Sequence, residues 1–248
     1  MVTFLRNCMY NILGLTTYLR LVSMLYITGI RCGLWKSKYP ELYFLKHIVK
    51  HGDTCIDIGA NLGYYSTQLA SIVGATGNVF AVEPIPLFGD IWKKNCKPKT
   101  YKQLTLFPYA LGAKTDKVQM GIPVSNGRVH HGMTKIASTA QEQYLHFFDV
   151  TMRNPDELFS DIQQLAFIKC DVEGYESEVF RNFTTTIQKF KPIIQTELSG
   201  AENRTNVIQL LESMGYTTNV LRNNTLVPVQ IIEALELSQD FYFVPNKE

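Results

Sequence analysis

The feature that most constrains this chain is a short apolar run that stops abruptly at a glycine turn. Thr54–Ile58 is rich in β-branched residues, and Gly59-Ala60-Asn61-Leu62-Gly63 follows at once. A helical apolar period then covers Leu62–Val73, and Gly74 and Gly77 end it. A strand without polar alternation suits a sheet covered on both faces, as parallel sheets are. The turn after it needs residues without bulk, so that backbone can approach a ligand, and Asn61 tolerates left-handed backbone better than most residues. Because the glycines stand at 59 and 63, the pattern is not GxGxxG. That spacing weakens a dinucleotide reading, in which close glycines and a helix N-terminus receive pyrophosphate.

The same alternation continues along the chain. Strands are expected at Asn78–Val82, Leu104–Phe107, Leu165–Cys170 and Pro192–Leu198. Helices are expected at Tyr39–Lys50, Leu87–Cys96, Pro155–Phe159, around Glu176–Phe190, and at Asn203–Met214. Gly215-Tyr216 opens a further strand, and Gln239–Pro245 is a strongly aromatic last one. Strands separated by helices imply a mainly parallel sheet with helices on both faces. Residues 116–152 break the rhythm, with Gly121, Gly127 and Gly132 and no long helical period, and read as an insertion of hairpins or loops over one sheet edge. At 248 residues, one α/β domain over 51–248 with an N-terminal extension over 1–50 fits better than two domains.

Composition narrows the partners. A balance of 24 basic against 22 acidic residues gives no support to a nucleic-acid partner. Five scattered cysteines, Cys8, Cys32, Cys55, Cys96 and Cys170, form no CxxC pair, which fits a reducing, cytoplasmic setting without zinc or disulfides. Residues 1–30 are apolar, but Arg6, Arg20 and Arg31 keep any uncharged run below the roughly 20 residues that span a bilayer. Leu13, Thr16, Thr17, Arg20 and Met24 have the spacing of an amphipathic helix. Packing on the domain, or capping a substrate cleft, is expected of it, with peripheral membrane contact through Arg and aromatic residues as the alternative.

Two acids stand where a nucleoside could be held. Asp57 precedes the glycine turn, placed to orient it or to meet an ammonium. Glu83 follows the second strand, where a carboxylate can accept both ribose hydroxyls, and Pro84 favours an extended exit. Together Asp57–Ser66 (DIGANLGYYS), Glu83-Pro84, Ala110-Leu111-Gly112 and Lys169–Glu176 (KCDVEGYE) resemble the FkbM methyltransferases over roughly residues 45–200. The resemblance implies a Rossmann-like class I fold with a mainly parallel seven-stranded sheet and a reversed last strand. It also implies S-adenosylmethionine as methyl donor, with transfer commonly to an oxygen of a sugar, glycan or small natural product. Asp57, Gly59, Asn61 and Gly63 match the family's cofactor loop and Glu83 its ribose acid; Ala60, Ser66, Pro84, Ala110 and Asp171 join the expected cofactor set. Asp156-Glu157-Leu158 matches the family's segment before the fourth strand only in part.

Chemistry is expected at Asp171 and Glu173, at the carboxyl end of the Leu165–Cys170 strand, with His131 as a competing base. Alternatively Asp171, Glu173 and Glu197 ligate a divalent ion, a version ranked below acceptor positioning and direct proton transfer. Tyr144, Phe147 and Phe148 are candidates for a sugar-stacking wall. Two other functions compete. An NAD-dependent oxidoreductase or epimerase could also use Glu83, but Tyr64 is followed at helical spacing by Gln68 and not by a lysine. A non-catalytic cofactor-binding module would keep the glycine turn without the acids.

Overall fold

The computed structural model describes the backbone of residues 2–125, 128–129, 135–136 and 144–246, and the side chains of residues 13–122 and 146–246. In chain order the elements are α1 (Val2–Arg31), α2 (Pro40–Ile48), β1 (Thr54–Ile58), α3 (Tyr64–Val73), β2 (Asn78–Val82), α4 (Pro86–Cys96), β3 (Leu104–Phe107) and β4 (Ala110–Leu111). Next come β5 (Asp116–Ser125), β6 (Arg128–Val129), β7 (Lys135–Ile136), β8 (Tyr144–Arg153), α5 (Pro155–Leu158), β9 (Phe167–Cys170), α6 (Glu176–Arg181) and α7 (Thr184–Phe190). The chain ends with β10 (Ile193–Thr196), α8 (Ala201–Ser213), β11 (Tyr216–Arg222), β12 (Thr225–Pro228), α9 (Ile231–Glu236) and β13 (Phe241–Pro245).

The main sheet runs β12-β11-β13-β10-β9-β1-β2-β3. The five strands from β10 to β3 are mutually parallel, and β13 lies antiparallel between β10 and β11. This is the class I methyltransferase fold, reversed last strand included. It has eight strands where the sequence suggests seven. The eighth, β12, exists because Asn223 and Asn224 both take positive φ, 49° and 59°, and close a two-residue hairpin between β11 and β12.

Burial explains why the strands were apolar without alternation. All five β1 residues are buried, Cys55 toward α2, α3 and α4, and Ile56 and Ile58 toward α6, α7 and α8. Trp92 of α4 is fully buried in the first of these layers, and its Nε1–H donates to Ser66 Oγ at 2.8 Å. Asp156, the residue at the poorly matching segment, has a capping role: its carboxylate accepts from the N–H groups of Thr185 and Thr186 at 3.0 and 2.8 Å, at the start of α7.

The insertion is more regular than the sequence implies. β5 and β8, ten residues each, form the centre of a five-stranded second sheet that also holds β4, β6 and β7. Its inner side chains, Met120, Ile122, Val150 and Met152, pack with Ile85, Phe88 and Ile91 around α4 and with Tyr18 and Leu19 of α1. Helix α1 carries a break at Gly14 (φ 71°). Its Leu19, Ser23, Ile27 and Ile30 are buried, while Arg20, Met24, Leu25 and Arg31 face outward. By length and composition Leu13–Arg31 could cross a membrane even with its two arginines, which the reading from uncharged runs did not allow. A turn beyond it folds back, with Trp35 stacked on Tyr26 at 5.1 Å and the Tyr26 and Tyr39 hydroxyls hydrogen-bonded.

Removing the Trp92 indole deletes a large buried side chain and leaves a cavity beneath the β1 turn. Trp92→Ala is expected to lower unfolding free energy by about 3–5 kcal/mol, read from the shift in urea midpoint. A loss under about 1 kcal/mol would contradict the packing described.

Candidate functional site

The carboxyl ends of β1, β2 and β9 open on one side of the sheet, where an open α/β fold places its ligand crevice. The β1 turn is shaped by close approach. Gly59 has φ 77°, and a Cβ there would lie 1.9 Å from the carbonyl oxygen of Asp171, so no other residue fits. Asn61 takes the left-handed conformation that its residue type tolerates, with φ 48°. Asp57 does not face the crevice. It is 2% exposed, and its Oδ2 accepts from Ser66 Oγ at 2.5 Å, so Asp57, Ser66 and Trp92 form a chain that supports the turn from behind. Burial pushes the Asp57 carboxyl up to about 6, opposed by the Ser66 hydroxyl and by Lys169. Ala60 is likewise buried in the α3 layer.

Glu83 follows directly on β2 with both oxygens already engaged. Oε2 accepts from Asn61 N at 2.8 Å and Oε1 from Ile85 N at 2.9 Å. The carboxylate thus fixes the β1 turn to the β2 exit, and each oxygen keeps a lone pair for a further donor. Burial raises its pKa to about 7 against these two bonds. Gly59, Asn61, Glu83, Pro84, Met120, Asp171 and Glu173 line one cleft together. A second cleft shares Gly59, Pro84, Met120 and Val172 with it and continues along Tyr109, Ala110, Leu111 and Tyr175. The joined space is acidic at one end and apolar at the other. Asn61 Oδ1 is buried there without a hydrogen-bond partner.

The loop after β9 is held by a residue that motif reading passed over. Glu176 is fully buried; its carboxylate accepts from Val172 N at 2.9 Å, Gly174 N at 3.0 Å and Asn203 Nδ2 at 2.6 Å. Glu176 therefore braces the turn, and Glu173 is left to point outward from a left-handed backbone, φ 53°, an uncommon conformation of the kind that gathers at working sites. Burial raises the Glu173 pKa to about 7, with Asp171 and Glu197 adding to the shift. Asp171 lies 3.9 Å from Lys169 Nζ, and Asp240, just before β13, lies 3.4 Å from the same ammonium. Burial opposes the charge on Lys169, but Asp240, Asp171 and Glu197 outweigh it and hold the ammonium above the ordinary lysine range. Glu41 of α2 completes this rim: burial, with a smaller contribution from Asp240, pushes it up to about 7.

Of the expected site residues, Gly59, Asn61, Glu83, Pro84, Ala110, Asp171 and Glu173 line the clefts; Asp57, Ala60 and Ser66 stand behind them. Gly63 (φ 93°) sits against Cys96 and Trp92 at the start of α3. His131 and the Tyr144 side chain lie outside the described residues. Phe147 is 53% exposed and Phe148 half-buried on β8. Among the described residues no group of three or more His, Cys, Asp or Glu could hold a metal ion, so Asp171, Glu173 and Glu197 do not form the ligand set considered for them. Met120, Lys169, Tyr175, Glu176 and Asp240 join the site unforeseen. Lys169, Tyr175 and Glu176 all stand in the quoted Lys169–Glu176 run, but without a role assigned to them.

Known proteins resemble this chain in sequence or in fold. A hexuronic acid methyltransferase, AglP, of Haloferax volcanii is 24% identical over 193 residues, 76% of this chain and 74% of that protein. A protein-L-isoaspartate O-methyltransferase of Methanosarcina mazei is 34% identical over 55 residues, 22% of this chain and 23% of that one. The crystal structure of an FkbM methyltransferase from Methylobacillus flagellatus superposes with a TM-score of 0.50 at 16% identity, which bears on the fold alone; it covers 77% of this chain, and the chain spans 43% of that structure's length. The pattern of the methyltransferase FkbM domain matches residues 57–218, from Asp57 at the end of β1 to Thr218 in β11, and takes in both loops of the crevice. This chain belongs to the FkbM methyltransferase family.

Proposed function

We propose that the chain transfers a methyl group from S-adenosylmethionine to a hydroxyl of an uncharged, polyhydroxylated acceptor, a sugar or glycan above all. The observation that carries this reading is the two-ended cleft beside an acid-lined rim. Glu83, with a free lone pair on each oxygen, suits two ribose hydroxyls, and Ala110, Leu111, Met120, Val172 and Tyr175 suit the faces of an adenine. Asn61 Oδ1, buried and unpartnered, is an acceptor ready for the cofactor's ammonium. Bound there, the cofactor supplies an electrophilic methyl on a sulfonium.

The remaining work falls to the chain. Displacement at carbon depends on alignment, so holding the acceptor oxygen in line supplies much of the acceleration. The acceptor's proton must leave as oxygen attacks, and Glu173 or Asp171 at the crevice mouth receives it. The rim also selects. The Haloferax relative is named for a hexuronic acid, whose carboxylate would here meet Glu41, Asp171, Glu173, Glu197 and Asp240 against one lysine that those acids already neutralise. Hydroxyl groups are good partners for such carboxylates, and a second anion is not. Labelled methyl transfer to a panel of neutral glycans and hexuronates checks the choice. Cofactor binding without transfer to any acceptor would instead mark a binding module.

Three outcomes follow for the purified protein. Glu83→Ala should weaken adenosylhomocysteine about ten- to a hundredfold in titration calorimetry, and undiminished affinity in a folded variant would remove Glu83 from the site. Asp171→Asn, which keeps shape and loses charge, should lower turnover about 10²-fold or more with little change in adenosylhomocysteine affinity if this carboxylate takes the proton. With Glu173 as base, kcat/KM should rise with pH and level off above about 7, since only the ionised carboxylate accepts a proton. Glu173→Gln should then abolish that rising limb; its persistence would exclude Glu173 as the titrating base.

A further inference from the structure

We propose that the face shared by α1 and the end of α4 is a docking surface for an anionic phospholipid bilayer. The first forty residues hold five basic side chains, Arg6, Arg20, Arg31, Lys36 and Lys38, and no Asp or Glu. Residues 91–103 repeat this composition, with Lys93, Lys94, Lys97, Lys99 and Lys102 and no acid. These two stretches thus carry ten of the chain's 24 basic residues and none of its 22 acids, which leaves fourteen basic against 22 acidic residues elsewhere. A chain of near-zero net charge is strongly polarised.

The fold brings the two stretches side by side. Asn95 Nδ2 of α4 donates to Ser23 Oγ of α1 at 2.9 Å, and Arg20, Met24, Arg31, Lys94, Lys97 and Tyr101 line one groove. A cavity of about 610 Å³ adjoins it, walled by Arg31, Lys36, Gln68 and Ser71. Among the described residues, Lys93 pairs with Asp90, whereas Arg20, Arg31, Lys36, Lys94 and Lys97 have no carboxylate partner.

Apolar side chains stand among these cations. Met24 is 51% exposed, Leu25 65% and Leu34 71%. Beyond the break at Gly14, Thr17, Arg20, Met24, Thr28 and Arg31 form one outward stripe of α1. Phosphate groups reward the cations in either a membrane or a nucleic acid, but only a bilayer rewards exposed Met and Leu between them. The mixture therefore selects lipid. The buried stripe of α1, with Leu19, Ile27 and Ile30, stays on the domain, so the helix lies along the surface and does not thread it.

The test is sedimentation of the full chain with phosphatidylcholine vesicles and with vesicles doped with phosphatidylglycerol. Binding is expected to the doped vesicles alone, with release at high salt. Lys94→Glu with Lys97→Glu should cut partitioning roughly thirtyfold or more, at about fivefold for each lysine charge removed. Met24→Ser with Leu25→Ser should cut it about tenfold. Adenosylhomocysteine affinity and thermal midpoint should stay unchanged in both, and Lys94→Gln with Lys97→Gln replaces the reversal if it fails to fold. Equal binding to neutral vesicles, indifference to the lysine changes, preference for RNA, self-association without vesicle binding, or retention through a high-salt wash would each overturn the proposal.

Discussion

One buried ammonium organises the crevice end of this molecule. Lys169 is 2% exposed at the centre of the sheet, in a cross-strand row that reads Asp57, Lys169, Gln195, Tyr242, Asn219. An unpaired ammonium at such depth would cost several kcal/mol, so the fold must deliver carboxylates to it. Asp171 comes from the end of its own strand. Asp240 comes from the start of β13, and reaches the same end of the sheet only because β13 runs opposite to its neighbours. The reversed strand and the lysine are thus two sides of one arrangement. Gln195 extends it by donating to Asp240 Oδ2 at 2.6 Å and to the Tyr65 hydroxyl at 2.8 Å.

The same arrangement sets the character of the acids around it. Lys169 sits beneath the rim between Asp171 and Asp240, while burial pushes Glu41, Glu173 and Glu197 upward, with Glu197 adding to the first two. A cluster of this kind can exchange protons near neutrality without a histidine or a metal ligand set. Its loop stays in place because Glu176 satisfies the backbone amides beneath it, which frees Glu173 from a structural duty.

How much of this the sequence disclosed depends on the range of the interactions. The strands β1, β2 and β9 were legible because burial on both faces leaves runs that are apolar but for a few polar residues such as Asp57 and Lys169, and the glycine turn because Gly59 and Asn61 answer a local backbone need. The strand β12 was not, since Thr225–Pro228 is brief, ends in proline and follows an Asn-Asn turn instead of a glycine one. Residues 116–152 were expected as a hairpin or loop insertion, but the long pair β5 and β8 within them was not, because they are joined across a long sequence separation and β5 carries a register shift between Gly121 and Pro123 that spoils its alternation. In the site, Glu83 and Asp171 could be placed from their strand ends alone. Lys169 with Asp240 could not, because their meeting depends on the register of β9, β10 and β13 together.

The contact between Gly59 and the Asp171 carbonyl has a consequence for how such a protein can diversify. With no room for even a methyl group between them, the turn after β1 and the turn after β9 move as one piece. Any backbone adjustment at Asp171 would disturb the neighbouring turn at Asn61, which is tied in turn to Glu83. Change is therefore channelled to parts attached from outside this pair: Glu41 on α2, Asp240 ahead of β13, and the second sheet that contributes Met120. The centre is a fixed gauge, and novelty is confined to its periphery.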